Sequence, residues 1–365
     1  MTVERDLVTL TSPTAGVAGH GPHPCQGLYH RPAGRRPRVA CIATHYNVDF
    51  SEHYLAPLLA ARGIGFLGWN TRFRGDEAHF LLEHALVDIG VGVRWLREQA
   101  GVDVVVVLGN SGGGSLMAAY QSQAVDPALA PTPGLPLPDA VGELAPGDLY
   151  VSLNAHAGRP EVLTAWCDPA VVDEADPLST DPDLDLFTQP LPLDPAWVAR
   201  YRAAQEARNH RVTAWVRVEL DRLAAAGAWD RMFTFHRTWA DPRFVDLALD
   251  PSDRRPGCYA GDPARANRGA WGIGMASTLR TWLSMWGLEA SPCRAAPHLA
   301  KVTVPSLVVQ STADRGVFPS DAQAIHDALA APDKALRLVP GEHYFEDDGR
   351  EEVADLLAAW VTERV

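Results

Sequence analysis

The most constraining feature of this 365-residue chain is a run of β-branched residues that leads directly into a glycine-rich turn. The run Val102 to Leu108 (VDVVVVL) predicts a strand that is buried on both faces. Residues 109–114 (GNSGGG) follow it, and SLMAAYQSQA then continues in a helix-compatible pattern. This succession predicts a strand, a tight turn and a helix, with Ser111 at the turn.

Strand and helix patterns alternate in two regions of the chain. Helical periodicity is clearest at 81–99, where apolar residues recur at intervals of three and four. The alternation predicts an α/β fold with a mostly parallel central sheet flanked by helices, formed by residues 1–156 and 297–365. The predicted strands are 6–10, 26–30, 38–44, 63–69, 102–108, 149–154, 305–310 and 335–339.

Residues 157–296 have a different character. Proline- and aspartate-rich loops surround helical patterns at 195–209 and 212–226, and eight of the eleven tryptophans lie here. A structureless loop of this length is uncommon in a compact domain. The pattern therefore predicts an inserted, mainly helical cap (lid) domain.

Net charge and composition exclude several classes of partner and site. The 32 Lys and Arg residues against 45 Asp and Glu residues give a net charge of −13, which repels nucleic acid and anionic membranes. No stretch approaches the roughly 18 apolar residues of a membrane span, and the first residues lack a signal-peptide pattern, so we expect a cytoplasmic protein. Five scattered cysteines indicate neither disulfides nor a thiolate metal site. Lys301 and Lys334 are the only lysines, a bias associated with GC-rich bacterial genomes.

The segment GNSGG at 109–113 matches the pattern GxSxG. The pattern is weak by itself in a glycine-rich chain, but its position between a strand and a helix is typical of a nucleophile elbow. In such a turn Ser111 is exposed, and the following amide, of Gly112, lies at a helix N-terminus. A phosphate-binding loop is the alternative, but the GxxxxGK[ST] pattern is missing.

A serine nucleophile needs a base, usually a histidine that a carboxylate orients. Asp314 follows the predicted strand 305–310, and His343 follows the strand 335–339, so both should lie at the carboxyl edge of the sheet. Asp321 is a second candidate for the acid, although FPSDAQAI is more typical of a helix start. The position after the strand that ends near 154 is Asn154, which is not an acid.

These residues and their order resemble the serine hydrolases of the α/β-hydrolase fold, over residues 1–156 and 297–365. The resemblance implies that Ser111 is the nucleophile, His343 the general base and then acid, and Asp314 the orienting carboxylate. It also implies an oxyanion hole in which the Gly112 amide is one donor. The usual His-Gly of the other loop is replaced by residues 44–47 (THYN), so the second donor is either Tyr46 or Asn47.

Several further residues are candidates for a substrate pocket, each with a structural role as the alternative. They are His45, His156, Arg159, Trp282 and Trp286. The two tryptophans are four residues apart on a predicted helix face. An arginine that reaches into the pocket would favour a substrate carboxylate. Arg72, Arg74 and Arg315 are expected to form ion pairs in loops.

The favoured function is hydrolysis of a carboxylic ester through an acyl-enzyme, on a bulky apolar or aromatic small molecule. No cofactor and no metal are expected, because no HExxH motif or clustered His and Asp spacing occurs. Cleavage of a C–C, amide, thioester or lactone bond by the same residues is the alternative. A hydrolase-like binding protein without turnover is the third hypothesis. A homo-oligomer is compatible with the sequence but not derivable from it.

Overall fold

The computed structural model describes residues 2–14, 21–346 and 348–365. Its main sheet has eight strands in the order β1-β2-β4-β3-β5-β6-β9-β10. The first two pairings, β1 with β2 and β2 with β4, are antiparallel, and the other five are parallel. The strands are β1 Val3–Leu10, β2 Cys25–Pro32, β3 Val39–Ala43, β4 Gly65–Asn70, β5 Val104–Asn110, β6 Leu149–Leu153, β9 Ser306–Ser311 and β10 Lys334–Val339, with β7 Met232–Thr234 and β8 Ala276–Thr278 in a separate two-stranded antiparallel sheet. The predicted mostly parallel central sheet is confirmed.

Helices cover both faces of the sheet, and the helices predicted at 81–99 and after the glycine-rich turn are present. Leu86, Ile89, Val93 and Leu96 form the fully buried face of α2, as their spacing predicts. The helices are α1 Ala56–Ala61, α2 Leu82–Glu98, α3 Gly113–Val125, α4 Arg159–Trp166, α5 Pro195–Ala225, α6 Pro263–Asn267, α7 Leu279–Thr281, α8 Ala295–Leu299, α9 Pro319–Ala328 and α10 Gly349–Thr362. A π-helical turn, Trp282–Trp286, continues α7.

Two hydrophobic clusters hold the layers together. One packs α1 and α10 on one face of the sheet, and its centre is formed by Leu59, Phe66 and Leu357. The larger cluster covers the other face, where Leu86 of α2 and Leu116 of α3 are buried. The central strands β3 and β5 are buried on both faces, which accounts for their unbroken apolar runs.

The chain between β6 and β9 departs in two respects from the prediction for residues 157–296, here called the intervening segment. The helices predicted at 195–209 and 212–226 are one helix, α5, because no glycine or proline interrupts it. The strands β7 and β8 form a short antiparallel pair with three residues each, which is too few to give a periodic pattern in the sequence. Its division from the rest of the chain as a cap domain stays a prediction.

The intervening segment shares its core with the sheet. Leu163, Val212 and Trp282 belong to the same hydrophobic cluster as Leu86 and Leu116. Because that cluster is continuous, burial of apolar surface holds the segment against the helices that cover the sheet. Among the described residues, no helix is long and apolar enough to span a membrane.

Candidate active site

Ser111 lies at the turn between β5 and α3 in a strained backbone conformation. Its φ is 56°, in the left-handed region that residues with a side chain rarely adopt. A β-carbon at Gly113 would lie 2.2 Å from the carbonyl oxygen of Thr44, and one at Gly109 would lie 2.7 Å from the α-carbon of Gly114. Only glycine fits at these two positions, so the turn has the tightness that the GxSxG pattern implies.

Asp314 and His343 form a buried pair after β9 and β10. Nδ1 of His343 donates to Oδ2 of Asp314 at 2.6 Å. The other carboxylate oxygen accepts the amides of Gly316 and Val317 at 2.9 and 3.1 Å. Burial alone would raise the pKa of the Asp314 carboxyl, but the charge of His343 and these hydrogen bonds outweigh it and hold the pKa below its usual value. The acid is therefore ionised and fixes the orientation of the imidazole.

The end of β6 connects the Ser111 turn to the His343 loop. The Ser111 amide donates to the carbonyl of Leu153 at 3.1 Å. Asn154, at φ 41°, donates from Nδ2 to the carbonyl of His343 at 2.8 Å, and its Oδ1 accepts the amide of Ser311 at 2.7 Å. Among the described residues, no hydrogen bond joins the Ser111 hydroxyl to the His343 ring. Catalytic bonds of this kind commonly tighten only when substrate binds.

The three candidates for oxyanion donors lie around the same turn. Gly112 is the N-cap residue of α3. The Asn47 amide is directed at Nδ1 of His45 at 3.4 Å, whereas no described residue accepts from the Tyr46 amide. The Tyr46 hydroxyl contacts Oγ of Ser115 at 2.9 Å, so it points into α3. Of the two alternatives for the second donor, the Tyr46 amide is therefore the one that has no acceptor among the described residues, and its role stays a prediction.

Of the five pocket candidates, His45 and Arg159 have side chains beside Gly112. A β-carbon at Gly112 would lie 2.5 Å from Nε2 of His45 and 3.0 Å from Nη1 of Arg159. The ring of Trp286 stacks against the Arg159 guanidinium at 4.6 Å. Trp286 therefore lies behind the arginine.

His156 also borders the turn, since its amide donates to the Ser111 carbonyl at 3.1 Å. Burial, reinforced by the charges of His343 and Arg159, lowers the pKa of His156 to about 3. Its imidazole is accordingly neutral at physiological pH.

Trp282 does not join this group. Its indole donates to Oγ1 of Thr213, and its ring packs against Phe233 and Phe235 in the interior of the intervening segment. Trp282 and Trp286 lie in the same π-helical turn but have different neighbours, since Trp282 contacts Thr213 and Phe233 whereas Trp286 packs against Arg159. That Trp282 lines a substrate pocket stays a prediction, and its contacts are with residues of the intervening segment.

Two contributors to the site were missed at the level of sequence. The Tyr259 hydroxyl donates to Oδ1 of Asp314 at 2.7 Å and lies 2.9 Å from Nδ1 of His343. Glu77 accepts from Nη2 of Arg159, Nδ2 of Asn47 and the amide of Gly274. Neither residue lies in a motif, and both act through partners distant in sequence, so no local signal could have indicated them.

The remaining candidates have structural partners. Arg72 forms a fully buried ion pair with Asp88, and its guanidinium also donates to Ser12 and Thr14. Arg74 pairs with Asp49 and Arg315 with Glu342. Asp321 accepts the Phe318 amide at 2.9 Å in the first turn of α9, which fits a helix cap better than a catalytic acid.

One cleft of the molecule lies apart from the candidate catalytic residues. A cleft of about 590 Å³ is lined by residues that include His79, Trp229 and Arg280, and neither Ser111 nor His343 lies in it. Within the part of the chain that the structure describes, no group of three or more His, Cys, Asp or Glu side chains is placed to hold a metal ion.

Comparison with known proteins identifies the architecture. No family model matches the sequence, and a search of curated proteins finds no relative. DcsB, solved in complex with its substrate analogue, is similar with a TM-score of 0.56 and 12% identity, over 99% of this chain and 100% of that chain. The alpha/beta hydrolase GrgF from Penicillium sp. sh18 has a TM-score of 0.53 and 11% identity, over 99% and 98%.

The chain has the α/β-hydrolase fold. Est1E from Butyrivibrio proteoclasticus is another similar structure, with a TM-score of 0.50 and 13% identity over 93% of each chain. The resemblance inferred from the sequence is thus confirmed at the level of the fold. Identities this low carry no substrate or mechanism across, because one fold supports many chemistries.

Proposed function

We propose that the chain is a serine hydrolase that cleaves a carboxylic ester. Ser111 would be the nucleophile, His343 the general base and then acid, and Asp314 the residue that orients the imidazole. The intervening segment would cover the site as a lid. The substrate would be a small molecule with a bulky apolar or aromatic group.

The single observation that carries the proposal is the buried Asp314–His343 pair beside a strained serine. A contact of 2.6 Å between an imidazole nitrogen and a carboxylate oxygen stabilises the positive charge that a base acquires. Two consecutive residues, Leu153 and Asn154, make the hydrogen bonds that hold the Ser111 turn and the His343 loop. A hydroxyl in a left-handed turn at this edge has no evident structural use.

The chemistry follows from these positions. His343 takes the Ser111 proton as Oγ bonds to the ester carbon, and the carbonyl electrons move onto the oxygen. The tetrahedral intermediate then expels the alcohol, which receives the proton from His343. Water attacks the resulting acyl-enzyme by the same route and releases the acid.

Aromatic side chains around the pair support the substrate class. Trp166 packs edge-to-face against His156 and Tyr259, with ring centroids 5.5 and 6.0 Å apart. Phe244 packs against Trp166 at 5.3 Å. Such rings favour an apolar or aromatic group by burial and by ring stacking.

A fluorophosphonate probe tests the nucleophile. We expect one probe per wild-type chain, attached to the peptide that contains Ser111, and no labelling of Ser111→Ala. The turnover number on p-nitrophenyl butyrate should fall by roughly 10⁵- to 10⁶-fold in that variant, as for other serine triads. Ser152→Ala is the matched control, since Ser152 is a buried serine of β6 whose Oγ has no hydrogen-bond partner. Labelling at another residue would refute the assignment.

A substrate panel then tests the bond. p-Nitrophenyl esters of increasing acyl length are compared with the matching amides, thioesters, lactones and β-diketones. Turnover of esters above the others supports the proposal. Turnover confined to β-diketones would make the chain a C–C hydrolase, and saturable binding without turnover would make it a binding protein.

A further inference from the structure

The space beside Gly112 is occupied by two side-chain nitrogens. The backbone of Gly112 is right-handed, with φ −55°, so conformation alone does not require glycine. A β-carbon would instead collide with Nε2 of His45, at 2.5 Å, and crowd Nη1 of Arg159, at 3.0 Å. The missing side chain therefore lets both nitrogens reach the residue that follows the nucleophile.

His45 presents a proton on the nitrogen that faces Gly112. The amides of Asn47 and Val48 are directed at its Nδ1 at 3.4 and 3.3 Å, which leaves the ring proton on Nε2. Oδ1 of Asn47 also lies 3.2 Å from Nδ1, but backbone hydrogens cannot rotate away and so decide the tautomer. Burial, together with the charges of Arg159 and His156, holds the pKa of His45 well below its usual value. The ring is a neutral donor.

Arg159 is a buried cation with unused donors. Its residue is 3% exposed, and its guanidinium lies 5.1 Å from the ring centroid of Tyr46 and 4.6 Å from that of Trp286. Nη2 donates to Glu77 at 2.9 Å, while no described residue accepts from Nε or Nη1. Of these two donors Nε is fully buried, and a fully buried donor without an acceptor is unfavourable. A ligand oxygen at Gly112 would satisfy Nη1.

The charge balance indicates what kind of oxygen this is. Arg159 and Glu77 already form a neutral pair, and Asp314 carries a second negative charge nearby. A substrate carboxylate would add an uncompensated charge to this buried site. The oxyanion of a tetrahedral intermediate differs, because it forms at the same moment as the imidazolium of His343. The site therefore suits a charge that appears during the reaction.

We propose that the side chains of Arg159 and His45 donate hydrogen bonds to the oxyanion, beside the backbone amide of Gly112. The inference rests on the proposed function. As Oγ of Ser111 bonds to the carbonyl carbon, the electron pair of the C=O bond moves to the oxygen, and Nη1 and Nε2 stabilise it. When the leaving group departs the C=O bond reforms and both donors are released. Two side chains thus add donors to an oxyanion hole in which Tyr46 occupies the position that is usually glycine.

Kinetics of Arg159→Gln test the inference on p-nitrophenyl butyrate. We expect kcat to fall by about 10²- to 10³-fold, the usual cost of one oxyanion donor, with KM changed less than about threefold. Binding of a trifluoromethyl ketone, which forms a tetrahedral adduct with serine, should weaken by the same factor as kcat falls. Arg315→Gln, which removes an arginine paired with Glu342 next to Asp314, is the matched control.

Gly112→Ala provides a second variant in case Arg159→Gln does not fold. Its methyl group should displace both nitrogens and reduce kcat without removing either side chain. His45→Gln, which keeps a neutral N–H donor, should retain more activity than His45→Leu.

The outcomes separate this inference from the proposed function. A wild-type chain in which fluorophosphonate does not label Ser111 would overturn both. Labelling at Ser111 with unchanged kcat in Arg159→Gln and Gly112→Ala would overturn only the role of the side chains. A loss confined to KM, seen with p-nitrophenyl hemisuccinate and not with the butyrate, would assign Arg159 to a substrate carboxylate instead.

Discussion

The carboxyl edge of the sheet and the intervening segment both contribute to the candidate site, but they hold their residues differently. At the edge, backbone conformation places the side chains: Ser111 and Asn154 both have positive φ, and two amides fix Asp314. In the intervening segment, Arg159 and Tyr259 are placed by side-chain contacts with distant residues. The difference suggests that the edge supplies the chemistry and the intervening segment tunes it, so substitutions at the edge should have larger effects.

Among the substitutions that leave Ser111 in place, the largest effect is expected for Asp314→Asn. Loss of the carboxylate leaves His343 in the wrong tautomer, and kcat should fall by about 10⁴-fold. Asp321→Asn is the matched control, because Asp321 caps α9 and should affect stability by only about 1 kcal/mol. Steady-state kinetics on p-nitrophenyl butyrate check both variants. A greater loss in Asp321→Asn would move the acid to position 321.

The tight turn should be the next most sensitive feature. In Gly113→Ala the new methyl group meets the Thr44 carbonyl, so we expect the free energy of unfolding to fall by about 1–3 kcal/mol. In Gly142→Ala nothing lies within 4 Å of the added carbon, and a gain of about 0.4–1 kcal/mol is expected from the reduced entropy of the unfolded chain. Urea unfolding measures both. Equal effects would show that the turn is not tightly packed.

Acid should destabilise the edge through His156. Its pKa is about 3 in the folded chain and about 6.5 in the unfolded chain, so the unfolded chain gains the proton first as pH falls. The stabilisation is complete above pH 6.5 and is lost as pH falls towards 3, by about 2 kcal/mol at pH 5. Urea unfolding at pH 7.5 and 5.0 should show a smaller acid-induced loss in His156→Gln than in wild type. Equal losses would contradict a buried, neutral His156.

The smallest effect is expected in the intervening segment. Tyr259→Phe removes one hydrogen bond to Asp314, worth about 1 kcal/mol, and should reduce kcat about fivefold. A carboxylate with one donor fewer holds the imidazolium proton more strongly, so the acidic limb of the kcat/KM profile should move to higher pH. Tyr344→Phe is the control, since Tyr344 contacts the His343 ring edge-on at 4.8 Å and is half exposed. If the acidic limb of the kcat/KM profile stays at the same pH in Tyr259→Phe, Tyr259 only packs against the pair.

The sequence was informative where local rules decide the structure. Ser111, Asp314 and His343 follow strands, and the carboxyl ends of parallel strands meet at one edge whatever the rest of the chain does. The glycines around Ser111 likewise report a close approach of backbone to backbone. These features could be predicted because each depends on a few consecutive residues.

The sequence was uninformative where distant contacts decide. Tyr259 and Glu77 reach the site through hydrogen bonds to residues far away in the chain, and Trp282 has the same apolar character as Trp286 but different neighbours. The break predicted within α5 was placed at residues 210–211, but the helix continues through them because neither residue is a glycine or a proline. Side-chain packing of this kind has no periodic signature.

The continuous hydrophobic cluster beneath α5 has a consequence for how a chain of this fold can acquire new substrates. A lid with its own core can be exchanged for another, as a module, without exposing the catalytic scaffold to water. Here Val212 and Trp282 belong to the same hydrophobic cluster as Leu86 and Leu116. Removal of the intervening segment would therefore expose the core that covers the sheet. Engineers seeking altered selectivity should therefore retain this polypeptide stretch and vary individual pocket positions within it.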